Sequence, residues 1–287
     1  MSKIELNGVS CVVTGAASGL GRAMALGLVQ AGAHVAALDV SLEGLAALRT
    51  AAGADAQNLF TATADIRREE DCARAIEQTR ARFGHVNVLV NCAGLGMPYI
   101  RHDYLRDPIR FWEIDPQKWR DLIDVNIHGA FLLSRAAAPQ MIADGWGRIV
   151  NVTTSFSTMI RGGNMPYGAT KAALEAASHG WVQDLDGTGV SMNVLIPGGA
   201  AATAMIPDDS PYDREKLVDP SVMVAPICWL ASRLSDGVTG RRFVARKWDP
   251  ALPWEQAVAA SSAPIAWPDL ANEALKSQPR SAGALKA

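Results

Sequence analysis

Short apolar runs alternate along the chain with longer stretches whose apolar positions recur at helical spacing, the pattern of strand–helix–strand units around a parallel sheet. The runs predict strands over Ser10–Val13, His34–Leu38, Leu59–Thr63, Val86–Asn91, Gly147–Val152, Val190–Ile196 and Phe243–Ala245. The nearly unbroken apolar run from Val86 to Val90 suits a strand covered by helices on both faces. The expected architecture is α/β: one doubly wound, seven-stranded parallel sheet over residues 1–247, followed by a C-terminal extension over 248–287.

Two segments depart from the alternation. Between Gly94 and Asn126 lie 31 residues that include Tyr99, Tyr104, Phe111, Trp112 and Trp119, and connections of that length in compact domains are often functional. From Trp248 onward the chain is rich in Pro and Ala, and a helix is expected around Trp254–Ala260. A solvated tail would rarely carry both Trp254 and Trp267, so the extension is expected to pack on its own body or on a partner subunit.

The chain has 287 residues, 49% of them hydrophobic, with 27 Lys and Arg against 29 Asp and Glu. That composition suits a large buried core and excludes disorder. The near-neutral charge has no block of like sign, which argues against nucleic acid as a partner. Cys11, Cys72, Cys92 and Cys228 are scattered without metal-ligand spacing, so neither a disulfide framework nor a metal site is expected. The N-terminus leads into an apolar run too short for a signal peptide or a membrane span. A cytoplasmic protein without a membrane partner is expected.

Directly after the first predicted strand comes Thr14-Gly15-Ala16-Ala17-Ser18-Gly19-Leu20-Gly21, then an amphipathic run from Arg22 to Ala31. Strand, glycine-rich turn and helix in that order present free N–H groups and a positive dipole end to a pyrophosphate. Asp39 ends the second strand, where a carboxylate can accept from ribose hydroxyls and would repel a 2′-phosphate. With no Arg or Lys in the loop or just after Asp39, NAD(H) is favoured over NADP(H). Ser41 is better placed than Asp39 to cap the next helix. Tyr167 and Lys171, four residues apart, share a helix face, and a phenol beside an ammonium can exchange a proton with an alcohol or ketone.

With these residues the sequence resembles the short-chain dehydrogenase/reductase family over residues 8 to 240. The matching motifs are Thr14–Gly21, Asp65 after the third strand, Asn91-Cys92-Ala93-Gly94, Asn126, Tyr167-x-x-x-Lys171 and Pro197-Gly198. The resemblance implies a single-domain Rossmann fold with Tyr167 as general acid/base. It implies that Lys171 lowers the tyrosine pKa and holds the nicotinamide ribose, and that Asn126 holds a water in a proton relay. Gly15, Ser18, Gly19, Leu20 and Gly21 would cradle the cofactor phosphates, with Asp65 and Ile66 at the adenine. Asn91, Ala93 and Gly94 would wall the adenosine, and Pro197, Gly198 and Thr203 would cover the nicotinamide.

The family normally has a serine thirteen residues before the tyrosine; here that position is Thr154, with Ser155 next to it. Successive side chains of an extended segment point to opposite faces, so one of the two orients the substrate oxygen, and Thr154 is preferred. Cys92 replaces the second Asn of the common Asn-Asn-Ala-Gly and is expected to fill the core. The usual Asp-Gly-Gly ending of the last strand is replaced by Arg241 to Trp248, a basic stretch that could contact an acidic substrate or cap a subunit contact, with a solvated edge preferred. The expected function is NAD-dependent interconversion of a small-molecule secondary alcohol and a ketone, on an apolar or ring-containing substrate. Alternatives are an NADPH-dependent 3-oxoacyl thioester reductase and a non-catalytic dinucleotide-binding protein. The resemblance also implies a homodimer or homotetramer through the helices carrying Asn126 and Tyr167, where Ala172, Ala173, Ala176 and Ala177 offer a small-residue surface.

Overall fold

A computed structural model describes residues 4–269. Eight strands form one sheet in the order β3-β2-β1-β4-β5-β6-β7-β8. They run β1 Ser10–Thr14, β2 His34–Asp39, β3 Leu59–Thr63, β4 Val88–Asn91, β5 Gly147–Val152, β6 Val190–Ile196, β7 Arg241–Val244 and β8 Ser262–Pro264. The first seven are parallel, and β8 pairs antiparallel with β7. This corrects the expected seven-stranded sheet: Ser262–Pro264 is too short to show a periodicity, and its proline is tolerated because the strand lies at the sheet edge. The last parallel strand also starts two residues before Phe243, since Arg241 and Arg242 find partners within the protein. Arg241 donates to Ser262, and Arg242 donates to the Thr154 carbonyl.

Helices cover both faces. On one, Val13, Leu28, Trp229 and Phe243 share a core with Trp248, the three aromatic rings lying 5.3–6.2 Å apart. Burying a side chain such as Phe243 is worth about 1.5–3 kcal/mol. On the other face Leu38, Leu89, Leu133 and Met192 pack together. Local signals start several helices. Ser41 accepts from the Gly44 N–H at 3.1 Å, as its position predicts, and Asp115 caps Pro116–Ile123 by accepting from Gln117.

The extension packs on the body. Its Trp254–Ser261 helix closely matches the predicted one, Trp254 stacks on Trp248, and Trp267 meets Phe156 edge-on at 6.1 Å. The rest of the extension, from residue 270, lies outside the described residues. Strand order reverses between β1 and β4, and in open α/β sheets the crevice at such a switch point, outside the carboxyl ends of the strands, is where ligands bind. Among the described residues no helix is long and apolar enough to cross a membrane, and no group of His, Cys, Asp and Glu could hold a metal ion.

Candidate active site

A cleft of about 1280 Å³ opens along the carboxyl ends of the strands, larger than the usual small-molecule pocket and roomy enough for a dinucleotide with a substrate beyond it. The glycine-rich turn forms its floor. A Cβ on Gly15, which has φ +66°, would fall 2.8 Å from the Ala93 Cα, and one on Gly21 would fall 2.1 Å from the Gly15 carbonyl oxygen. Only glycine therefore lets this turn fold under the cleft. Ser18 begins the Gly19–Gln30 helix without using its hydroxyl as a cap, which leaves it available to a phosphate at the helix N-terminus. Thr14 ties the turn to the next wall: its Oγ1 accepts from the Cys92 and Ala93 N–H groups, each at 3.0 Å.

Asp39 lies at the rim of this floor. Its carboxylate accepts from the Ala17 N–H at 3.0 Å and the Ser41 N–H at 2.9 Å, so the strand end and the turn are held together by one acid. The neighbouring Val40 is 66% exposed and presents no cation. Asp65 also lines the cleft, but Arg67 grips its carboxylate at 2.6–3.0 Å and holds it below the usual carboxylate range. Ile66 is buried beside Gly129.

Tyr167 opens the Tyr167–Asp184 helix and faces the cleft with Lys171 one turn on. Lys171 Nζ donates to the Val152 carbonyl at 3.0 Å. Burial pushes the Tyr167 phenol up to about 12, against which a side-chain hydrogen bond with Thr154 pulls down. Burial also lowers Lys171 to about 8. Lys171 is not among the groups that shift this phenol.

Of the two hydroxyls weighed above, Thr154 is the one bonded to Tyr167. Ser155 is committed to capping the Phe156–Met159 turn, accepting from the Thr158 N–H at 3.1 Å. Asn126 sits in a π-helical turn, Asp124–His128, inserted into an otherwise continuous helical run; such turns recur at functional positions. It is buried, and its amide accepts from the Leu95 N–H at 2.8 Å and donates to the Leu95 carbonyl and Thr170 Oγ1 at 2.9 Å. It thus pins the wall carrying Gly94 to the helix carrying Tyr167.

Most of the residues predicted from sequence converge on the cleft: Gly15, Ser18, Gly19, Leu20, Gly21, Asp39, Asp65, Ile66, Ala93, Gly94, Thr154, Tyr167, Lys171, Pro197, Gly198 and Thr203 all line it. Thr203 also confirms how close its loop comes to the floor, since a Cβ on Gly19 would lie 2.9 Å from the threonine methyl. Asn91 and Asn126 do not line it. Asn91 is buried beneath the wall, donating to Asn151 at 2.8 Å and Ser134 at 3.1 Å. Cys92 packs against the core as expected but also borders the cleft, where burial pushes its thiol up to about 12. Tyr99 and Tyr104 of the long connection line the cleft, whereas Phe111 and Trp112 lie exposed on the surface.

Sequence reasoning missed Arg242 and Glu175. The expected solvated edge is a buried one at Arg242, whose Nε lies 3.1 Å from Glu175 Oε1. The signal was available in the loss of the usual Asp-Gly-Gly and in the single acid, Glu175, facing inward from a helix of small residues.

The model of the short chain dehydrogenase family matches residues 10–212, and the chain belongs to that family, oxidoreductases acting on CH–OH groups of small molecules. It is 32% identical over 260 residues to the 2-dehydro-3-deoxy-D-gluconate 5-dehydrogenase of Escherichia coli K12, covering 84% of this chain and 94% of that one. It is likewise 32% identical to the 3-oxoacyl acyl-carrier-protein reductase FabG of the same organism, over 68% of this chain and 75% of that one. Among solved structures, a candidate NAD(P)-dependent gluconate 5-dehydrogenase from Beutenbergia cavernae, holding NADP at low occupancy, aligns with a TM-score of 0.72. The two are 29% identical over 85% of this chain and 97% of that one.

Proposed function

We propose that the protein is an NAD-dependent dehydrogenase interconverting a secondary alcohol and a ketone, with Tyr167 as general acid/base. The observation that carries this reading is the placement of the Tyr167 phenol in the cleft, hydrogen-bonded to Thr154 and one helical turn from Lys171. The floor is a tight turn that a Cβ at Gly15 or Gly21 would break, and a glycine turn leading into a helix N-terminus fits a dinucleotide pyrophosphate. When bound there, the nicotinamide would supply the hydride acceptor or donor.

The chain's own residues handle the proton and the geometry. In the oxidative direction Tyr167, as its phenolate, would take the substrate hydroxyl proton at its oxygen and become the neutral phenol, and Thr154 would orient the same substrate oxygen through its hydroxyl. Lys171, which donates to the Val152 carbonyl, would hold the nicotinamide ribose, and Asn126 keeps the opposite wall in register. Gly15, Ser18, Gly19, Leu20 and Gly21 would hold the phosphates, Asp65 and Ile66 the adenine, Ala93 and Gly94 the adenosine, and Pro197, Gly198 and Thr203 the nicotinamide end. The substrate end is bordered by Met97, Tyr104, Phe156, Met205 and Tyr212, which supports an apolar or ring-containing substrate.

Asp39 carries the choice of NAD. A carboxylate tied to the floor suits free ribose hydroxyls and repels a 2′-phosphate. A second reading, an NADPH-dependent 3-oxoacyl thioester reductase, is favoured by the likeness to FabG and by the NADP held in the Beutenbergia cavernae structure. Separate titrations with NADH and NADPH, on wild type and Asp39→Ala, decide between them. NADH binding at least about tenfold tighter, roughly 1.4 kcal/mol, with that margin eroded in Asp39→Ala, supports the first reading; tighter NADPH binding overturns it.

For assembly we infer a homodimer or homotetramer in which Ala173, Ala176 and Gly180 meet a second copy. These three face solvent, while Leu174, Glu175 and Ser178 face the sheet. Ala176→Arg is expected to lower the mass measured by light scattering; an unchanged mass counts against that face.

A further inference from the structure

Arg242 and Glu175 form a buried ion pair beside the cleft, their side chains 8% and 0% exposed. Arg242 Nη2 also donates to the Thr154 carbonyl, and its guanidinium carbon lies 4.3 Å over the Phe156 ring. Glu175 stands two helical turns after Tyr167 on the same helix. Its Oε2 accepts from Thr153 Oγ1 at 2.7 Å, and its Oε1 accepts from the Ala266 N–H of the extension at 3.2 Å. Four stretches of chain therefore meet at one pair of charges: the segment after β5 with Thr153 and Thr154, the helix with Tyr167 and Glu175, β7 with Arg242, and the C-terminal extension.

A pair this deeply buried is a poor source of stability, because desolvating two charges offsets most of their attraction. Its placement asks for another reason. Thr154 needs one, since the segment leaves β5 at Val152 and the Phe156–Met159 turn is capped by Ser155, not by Thr154. Ala266 adds a second observation: it takes φ +60°, a left-handed conformation uncommon outside glycine and often found where a functional site dictates the backbone. That conformation accompanies the N–H bond to Glu175.

We propose that Arg242 and Glu175 are positioning residues that hold Thr154 against Tyr167, and that the C-terminal extension completes the arrangement through Ala266. This rests on the reading of Tyr167 as the general acid/base. The helix fixes Glu175 relative to Tyr167, Glu175 fixes Arg242, and Arg242 fixes the backbone of Thr154. The distance between the two hydroxyl groups is then set by the ion pair, and the usual Asp-Gly-Gly ending could not supply it.

The test uses the full chain labelled with carbon-13 at the tyrosine ζ position. Four tyrosines give four signals, and Tyr167→Phe assigns the one that matters. Thr154→Ala is expected to shift the Tyr167 signal, and Arg242→Gln to shift it to the same position. Arg148→Gln, at the far end of the sheet, is expected to leave it unmoved. Because Arg242→Gln leaves Glu175 unpaired, the double variant Arg242→Gln/Glu175→Gln repeats the measurement with no buried charge stranded.

In turnover, kcat is expected to fall about tenfold or more in Arg242→Gln with NADH affinity unchanged, and Arg242→Lys to recover part of it. Thr154→Ala/Arg242→Gln is expected to be no slower than Thr154→Ala alone, since both changes remove one contact. The proposal is overturned if the Tyr167 signal keeps its wild-type position in both Arg242 variants, if Thr154→Ala itself leaves it in place, or if the two rate losses multiply. Wild-type protein inert toward every alcohol and ketone would instead sink the catalytic reading, and the tyrosine signal would still decide the positioning role.

Discussion

Two strands carry buried arginines, one at each end of the sheet, and their surroundings differ in kind. Arg148 is the second residue of β5, at the end of the strand away from the cleft. Its side chain is 3% exposed, but its partner Asp236 is 52% exposed. The guanidinium further donates to Ser235 Oγ at 3.2 Å and the Gly147 carbonyl at 2.9 Å and lies over the Trp146 ring. Arg242 reaches the cleft and pairs with an acid that water does not touch. The first arrangement closes the floor of the molecule with a charge whose partner stays hydrated. The second puts both charges out of water and ties them to groups that line the cleft. In a parallel sheet the carboxyl ends of the strands carry the ligand, and the chain places its costly polar burial there.

The largest effect expected from this contrast is at the tyrosine itself. Tyr167→Phe removes the phenol proposed to transfer the proton while leaving the floor glycines intact. Steady-state kinetics should show kcat down about 10²–10⁴-fold, with the NADH titration unchanged. Retained turnover would move the acid/base role off Tyr167 and empty the contrast of its chemical half.

Next come the arginines compared directly. Removing Arg242 strands a fully buried carboxylate, so Arg242→Gln is expected to lower stability by about 3–5 kcal/mol. Removing Arg148 leaves an acid that water can solvate, and the loss should stay near about 1–3 kcal/mol, the scale of forfeited charged hydrogen bonds. Urea unfolding of the two variants checks the order. Kinetics sharpen it, since Arg148→Gln should keep the wild-type kcat. Equal stability losses would mean that partner hydration does not govern the difference.

The same contrast explains what could be read from the sequence. The six strands from β1 to β6 were legible because apolar runs report burial residue by residue, and the phosphate floor because backbone crowding at Gly15 and Gly21 admits nothing larger than hydrogen. Tyr167 and Lys171 were legible as a spacing on one helix. Arg242 was not, since an arginine in sequence looks the same whether it meets water or Glu175, 67 residues earlier in the chain. The three-residue β8 and the inward turn of Tyr104, against the outward turn of Phe111 and Trp112, are likewise decided by tertiary contacts that no local periodicity encodes. The roles of Asn91 and Asn126 divide the same way: their motif positions were evident, their burial behind the cleft wall was not.

A pH dependence of stability belongs to the carboxyl end alone. Burial lowers Lys171 from the ordinary lysine value of 10.5 to about 8. Between those two values the unfolded chain keeps a proton that the folded chain has already released, so stability rises with pH across the window. Below pH 8 the fold must carry the buried ammonium, and the gain is absent. Tyr167 acts in the opposite sense at higher pH: raised from 10 to about 12, it keeps its proton in the fold while the unfolded chain loses it, so its contribution declines above pH 10. Denaturant unfolding of wild type and Lys171→Met from pH 7 to 10 isolates the lysine. The stability of the wild type relative to the variant should climb through this range, and Arg148→Gln, which touches neither group, should climb in parallel with the wild type. A flat difference between wild type and Lys171→Met would show that Lys171 keeps its charge in the fold, and with it the means to lower Tyr167 that the family resemblance implied.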